Sequence, residues 1–243
     1  WGREVNLGQS PRMVFGGEES GGMIIGPEEF IESVGGHKAL AMREKSAGES
    51  VVIATALASH LFLEGKMMSE HLRDIFDQNN ITYRYYLRAD IVYYNESEPD
   101  PMKMAQAKTG GEKKRDQADS FYLSLALALR ENLLTMEQAR IILREAMPEL
   151  EFDSLQEIIF VGDASYFKFN DMFIQVRRSG TDAKLRGYAN GESYERSKKY
   201  LEIMVHYLGN RTTTFNKYIS IDYQANVYLK QEELYKVYMY KGL

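Results

Sequence analysis

The sequence contains no cysteine, and that absence removes disulfides, thiolate metal ligands and cysteine nucleophiles together. It is also compatible with a reducing compartment, so the expected location is cytoplasmic. Proline occurs 5 times and glycine 19 times among 243 residues, too seldom for a collagen-like or low-complexity chain. No apolar run reaches the ~20 residues that a membrane helix needs. The longest, Val51 to Phe62, is interrupted by Thr55, Ser59 and His60. There is no excess of positive charge either: 30 basic residues stand against 35 acidic ones, for a formal net charge of −5. Surfaces that bind duplexes advertise a basic excess, so neither nucleic acid nor membrane is an expected partner. The 4 histidines, His37, His60, His71 and His206, are scattered without metal-ligand spacing, and no metal is assigned to this chain. The phosphate-loop pattern GxxxxGK[ST], the dinucleotide pattern GxGxxG and the nucleophile pattern GxSxG are all missing, which withholds support from nucleotide binding and serine hydrolysis.

What is present describes a folded chain. Hydrophobic residues make up 44% and charged residues 27%, ample for a core, and the length allows one large domain or two modest ones. Apolar spacing predicts a short helix over Pro27 to Val34 and a firmer one over Val51 to Phe62, with Ser46 and Glu49 as a capping box and one face buried. Ser69 is the expected cap of a third helix ending at Asn79-Asn80. From Ile81 to Asn95 the period changes to two, which predicts extended structure with a joint at Arg88-Ala89-Asp90. Polar, proline-containing residues from Asn95 to Asp100 place a domain boundary near residues 85 to 100. Beyond it the pattern predicts helices over Asp116 to Leu134 and from the Thr135/Gln138 cap to Met147. Four strands joined by tight turns then follow, Ile158 to Val161, Tyr166 to Phe169, Met172 to Arg178 and Leu185 to Ala189, and a helix runs over Ser193 to Leu208. The basic run Lys108 to Arg115 reads as a solvated loop, and the tyrosines at 83, 85, 86, 93 and 94 as packing residues of the extended segment. The tail from Tyr218 to Tyr240 has no clear period.

Chemistry concentrates in two segments. Val176 to Arg186, VRRSGTDAKLR, brings Arg177, Arg178, Lys184 and Arg186 around a Ser179-Gly180-Thr181 turn, with Asp182 as its one carboxylate. A phosphate dianion is recognised by this combination of guanidinium forks, short hydroxyl donors and a glycine whose freedom at positive φ lets backbone N–H groups converge. The alternative is a polar hairpin loop with solvated charges. Phe15 to Met23, FGGEESGGM, surrounds Glu18, Glu19 and Ser20 with glycines, and a carboxylate beside a hydroxyl suits sugar hydroxyls. By itself that segment reads equally as a tight surface turn.

Taken in order, Gly17-Glu18-Glu19-Ser20-Gly21-Gly22 and, about 160 residues later, Arg177-Arg178-Ser179-Gly180-Thr181-Asp182 resemble the α-D-phosphohexomutase family, the phosphoglucomutases and phosphomannomutases. The resemblance implies that Glu18 and Ser20 contact sugar hydroxyls. It implies that Arg177, Ser179, Gly180 and Thr181 grip the substrate phosphate, with Lys184 and Arg186 as additions. Gly22 stands where many family members carry histidine, so a contact from that side chain is missing. The family's phosphoserine segment and its aspartate-rich Mg²⁺ loop do not occur in this sequence. Thr55 to His60 resembles the serine segment only superficially, because Leu61-Phe62 follow it, and Ser59 reads as part of a helix.

The resemblance therefore implies the carboxy-terminal portion of a longer enzyme, an expectation that agrees with a chain beginning at Trp1. The expected architecture is a partial α/β domain over residues 1–88, carrying the sugar loop, and an α+β domain over residues 89–243 with an antiparallel sheet packed against helices. The implied partners are a hexose phosphate and the amino-terminal domains of the same polypeptide, and the implied cofactors are Mg²⁺, bound outside this chain, and a hexose 1,6-bisphosphate intermediate. A phosphoserine would pass its phosphate to a glucose or mannose phosphate. The bisphosphate would reorient and return its other phosphate to the serine. No catalytic residue is expected in this chain. A non-catalytic sugar-phosphate-binding or interaction module is the alternative that the same loops allow.

Overall fold

The structure is a computed structural model that describes residues 15–17, 23–25, 31–32, 38–39 and 47–240. It divides into two compact units, one ending at Ile81 and the other running on from Thr82. The division falls one residue into the extended segment expected from Ile81 and shortly before the boundary expected near residues 85 to 100.

In the first unit, β1 (Phe15–Gly17) pairs antiparallel with β2 (Met23–Ile25), and β3 (Ile31–Glu32) with β4 (Lys38–Ala39). The helix expected over Pro27 to Val34 is therefore not formed at Ile31 and Glu32, where a sheet partner takes the backbone and suits β-branched Ile31; the rest of that segment lies outside the described residues. Helix α1 (Ala47–Leu63) extends the expected helix, whose proposed cap Ser46 also lies outside them. It turns through Gly65, at φ +71, into α2 (Met68–Gln78). Met67 rather than Ser69 caps α2, because the Glu70 carboxylate reaches back to accept the Met67 N–H at 2.8 Å. The buried face expected of α1 is incomplete: Leu61 is buried, but Val52 is 67% and Phe62 81% exposed. The described elements packed on α1 are α2 and β2.

The second unit is a five-stranded sheet with every neighbour antiparallel, in the order β5-β9-β8-β7-β6. These strands are β5 (Tyr85–Val92), β6 (Leu155–Val161), β7 (Ala164–Phe169), β8 (Met172–Arg178) and β9 (Lys184–Gly191). No joint interrupts β5. Arg88, Ala89 and Asp90 sit in mid-strand, paired with Tyr188, Gly187 and Arg186. Burial alternates residue by residue along β8, as it must when one sheet face is covered and the other is not. The covering layer is α3 (Pro101–Arg130) with α5 (Tyr194–His206). Beside them lie α4 (Met136–Ala146), α6 (Thr213–Tyr218), α7 (Ile221–Leu229) and α8 (Gln231–Tyr240). The tail without a readable period thus forms helices, whose inward residues Val227 and Tyr235 join the core of this unit together with Phe215 of α6.

The expected α+β unit is present, with one large revision. The long helix begins at Pro101, not Asp116, because the Asp100 side chain caps it by accepting the N–H groups of Met102 and Lys103. It runs straight through Lys108 to Arg115, so the basic run is helical rather than a solvated loop. Its glycine pair costs about 1 kcal/mol per residue relative to alanine. Gly111 is offset by close packing, since a Cβ there would stand 3.0 Å from the Ala183 Cβ. The cap at Thr135 is as expected, and Ser193, where the last expected helix starts, is the N-cap of α5. In the core, Tyr122 stacks edge-on against Phe121 and Phe167 and donates its buried hydroxyl to the Met204 carbonyl at 2.7 Å. The aromatic therefore buries no unmet polar group. No single helix among the described residues is long and apolar enough to cross a membrane.

The contact between β9 and α5 depends on glycine at one position. A Cβ on Gly187 would fall 2.1 Å from Val205 Cγ2 and 2.6 Å from Leu201 Cδ1, whereas one on Gly180 would meet nothing within 4 Å. Gly187→Ala should therefore cost about 1–3 kcal/mol through overpacking. Gly180→Ala should leave stability within about 0.5 kcal/mol. Urea unfolding of both variants checks the contrast.

Candidate functional site

Residues Ser179 to Ala183 join β8 to β9. The loop closes on itself through the Ser179 N–H to the Lys184 carbonyl, 2.9 Å, and the Lys184 N–H to the Asp182 carbonyl, 2.8 Å. The Asp182 carboxylate tightens it further by accepting the Ala183 N–H at 2.9 Å and the Tyr94 hydroxyl at 2.9 Å. Gly180 is outside the left-handed region, so the expected use of its positive-φ freedom is corrected: side-chain and backbone bonds shape this turn. The N–H groups of Gly180, Thr181 and Asp182 meet no acceptor among the described residues. Ser179 is buried, while Gly180 and Thr181 are exposed.

The back of the loop is held by α3. Arg115, 8% exposed, donates through Nη1 to the Ser179 carbonyl at 2.9 Å and the Asp182 carbonyl at 2.8 Å. Its Nε donates to Asp116 Oδ1 at 2.8 Å, which offsets the buried charge. Lys108 Nζ donates to the Thr181 carbonyl at 3.3 Å and lies 3.5 Å from the Asp182 carboxylate. Sequence reading missed both residues because it took the run for solvated. The signal was present in the spacing of Lys108, Gly111 and Arg115, which a helix puts on one face.

The cations of VRRSGTDAKLR do not all converge. Successive strand residues face opposite sides, so Arg177 and Arg178 diverge. Arg177 lies on the half-exposed face, pairs with Asp163 at 2.6 Å and sits over the Tyr188 ring at 5.8 Å. Arg178 turns inward, where it pairs with Asp116 at 3.2 Å and with Glu232 and sits 4.6 Å over the Tyr235 ring. Lys184 pairs with Glu96 at 2.8 Å and Asp182 at 3.2 Å. Arg186 is 3.9 Å from Asp90, itself paired with Arg88 at 2.7 Å. Counting charges along the sequence showed one carboxylate. The fold brings Asp90, Glu96, Asp116, Asp163 and Glu232 to the same cations from other elements.

The titrations follow from this pairing. Burial acts to raise the Asp182 carboxyl, but hydrogen bonds from Tyr94, Lys184 and the Ala183 N–H outweigh it and hold the group down to about 2. The Lys184 ammonium is raised, chiefly by its hydrogen bond to Glu96. Tyr94 is more than a packing residue, because its hydroxyl fixes Asp182.

Behind the loop, the Asp119 carboxyl on α3 is 1% exposed. It accepts the Tyr235 hydroxyl at 2.7 Å and Gln231 Nε2 at 3.3 Å. Burial pushes Asp119 up to about 7, against the pull of Tyr235 and Arg178. This cluster joins α8 to α3, and Arg178 over the Tyr235 ring ties the end of β8 to it.

Other expected positions contribute less. Glu18 and Ser20, the expected sugar contacts, lie outside the described residues. Ser59 donates its hydroxyl to the Thr55 carbonyl at 2.8 Å within α1, as a helical serine does. No three His, Asp or Glu side chains among the described residues gather to hold a metal ion. A cleft of about 650 Å³ runs along β6 and the carboxy-terminal end of α3, lined by Leu129, Leu134, Ile158 and Phe160 among others, and includes no residue of the β8–β9 loop. No family model matches the chain, and no curated protein matches it.

Asp119 makes stability depend on pH with a definite sign. Its folded value of about 7 exceeds the ordinary 3.8, so between those limits the folded chain holds more protons than the unfolded one. Its contribution is then fully present below about 4 and lost as pH rises through about 7. Asp119→Asn should remove this part of the slope, so the stability difference between wild type and variant should shift in the variant's favour from pH 5 to pH 8. Urea unfolding at the two pH values measures it, and a pH-independent difference would contradict the assignment.

Proposed function

We propose that this chain is the substrate-binding part of a phosphohexomutase, and that its β8–β9 loop anchors the phosphate of a hexose phosphate while chemistry proceeds at the other end of the sugar. The observation that carries this reading is the run of backbone N–H groups at Gly180, Thr181 and Asp182 without acceptors, beside the Ser179 and Thr181 hydroxyls and flanked by Arg177 and Lys184. Successive amides and short hydroxyl donors suit a tetrahedral dianion, and flanking cations add charge-assisted bonds.

Phosphoryl transfer depends on positioning and charge neutralisation more than on covalent help. In this reading the loop supplies positioning. Arg177 lies on the uncovered sheet face and can turn its fork from Asp163 to a phosphate. Lys184 can exchange one of its two carboxylates in the same way. The ring hydroxyls would be held by Glu18 and Ser20. The phosphoserine would belong to other domains of the same polypeptide, as would Mg²⁺, which supplies charge neutralisation at the transferring phosphate. Glucose and mannose share the configuration at C3 and C4, so a pair of contacts to those hydroxyls accepts both sugars. A cytoplasmic setting goes with this substrate class.

The reading predicts that inorganic phosphate, titrated into the isotopically labelled chain, moves the amide signals of residues 177 to 186. Arg177→Ala should weaken binding by about one to two powers of ten, the effect of losing a charge-assisted bond of roughly 1.5–3 kcal/mol. Lys113→Ala, an exposed residue of α3, should change it little. Loop amides that stay still while others shift would reject the phosphate site. The chain by itself should not turn over glucose 1-phosphate.

A further inference from the structure

A trans peptide is planar, so its N–H points opposite its C=O. Fixing one therefore aims the other. The Ser179 carbonyl, which Arg115 Nη1 holds at 2.9 Å, shares its peptide plane with the Gly180 N–H. The Thr181 carbonyl, which Lys108 Nζ holds at 3.3 Å, shares its plane with the Asp182 N–H. Both cations stand on α3, and a separation of about two helical turns puts them on one face. Between them Gly111 lets the helix come close, because a Cβ there would lie 3.0 Å from the Ala183 Cβ and 3.1 Å from the Tyr93 carbonyl oxygen. The Gly180 and Asp182 N–H groups are thus turned away from α3, and neither meets an acceptor among the described residues.

We propose that Lys108, Gly111 and Arg115 form a positioning template on α3 that aims the loop's N–H groups at a phosphate dianion. The proposal rests on the phosphate-site reading above and adds residues outside the loop. These side chains act through the backbone and not as phosphate ligands. Arg115 directs its hydrogen bonds to two carbonyls and to Asp116. By binding the carbonyl end of each peptide, the two cations also polarise the N–H end that would meet the ligand. The site is therefore preorganised from behind, so a ligand need not order the loop as it binds.

Amide spectra of the whole chain titrated with inorganic phosphate separate the template from general electrostatic attraction. In the wild type the Gly180 and Asp182 signals should move. Arg115→Met should weaken phosphate binding about tenfold and abolish the Gly180 response. Lys114→Met removes the same charge from an exposed position of the same helix and should change affinity less than about twofold. Lys108→Met should remove the Asp182 response and leave that of Gly180. Thermal melting accompanies each variant. Should Arg115→Met fail to fold, Lys108→Met, which removes a half-exposed side chain, decides the matter. Equal losses in Arg115→Met and Lys114→Met, or an unchanged Asp182 response in Lys108→Met, would overturn the template. A wild type whose loop signals do not move rejects the phosphate reading and the template with it, an outcome distinct from a wild type that binds and variants that bind equally well.

Discussion

A buried guanidinium between two backbone carbonyls is the constraint on which the rest of the site depends. Arg115 cannot sit under the loop without a counter-charge, and Asp116, the next residue on α3, supplies it. The same carboxylate also takes Arg178, the last residue of β8, so one anion ties helix and strand together where the loop begins. Arg178 in turn meets Glu232 and the Tyr235 ring, and Tyr235 meets Asp119. The carboxy-terminal helix α8 is thereby joined to the loop through side chains whose charges and hydrogen bonds are met inside the protein.

Charge compensation also explains how a loop with so many cations folds. Arg177, Lys184 and Arg186 each have a carboxylate neighbour. These pairs differ in burial from the pair at Arg115. Exposed or half-exposed pairs are worth little in water, so a dianion can compete for Arg177 and Lys184. Arg115 and Arg178 are buried and already satisfied. The division of labour is between cations that build the loop and cations free enough to exchange partners.

How much of this was legible in the sequence depended on whether a residue's partner was local. The Thr135/Gln138 capping box, the four strands after Pro148 and their antiparallel order rest on neighbours a few residues apart, and turns such as Gly162-Asp163 announce them. The loop itself was legible as a cluster of donors. Its compensation was not, because Asp163, Glu96 and Asp90 reach the cations through strand pairing and loops that a linear charge count does not register. The helix through Lys108 to Arg115 was hidden by Gly110-Gly111, which lower local helix propensity, while Gly111 serves a tertiary contact with Ala183. The tail lacked a readable period because its helices are short and bury few residues each.

The central claim is that the amides of Gly180 and Asp182, turned outward by α3, receive a tetrahedral oxyanion. Crystals of the chain soaked in arsenate, a phosphate analogue whose anomalous scattering marks its position, test it directly. The account predicts an arsenic peak over the loop, with oxygens within about 3.2 Å of the Gly180 and Asp182 nitrogens and Arg177 turned toward them. Arsenate found only at exposed lysines elsewhere, with the loop amides facing solvent at saturating concentration, would contradict it.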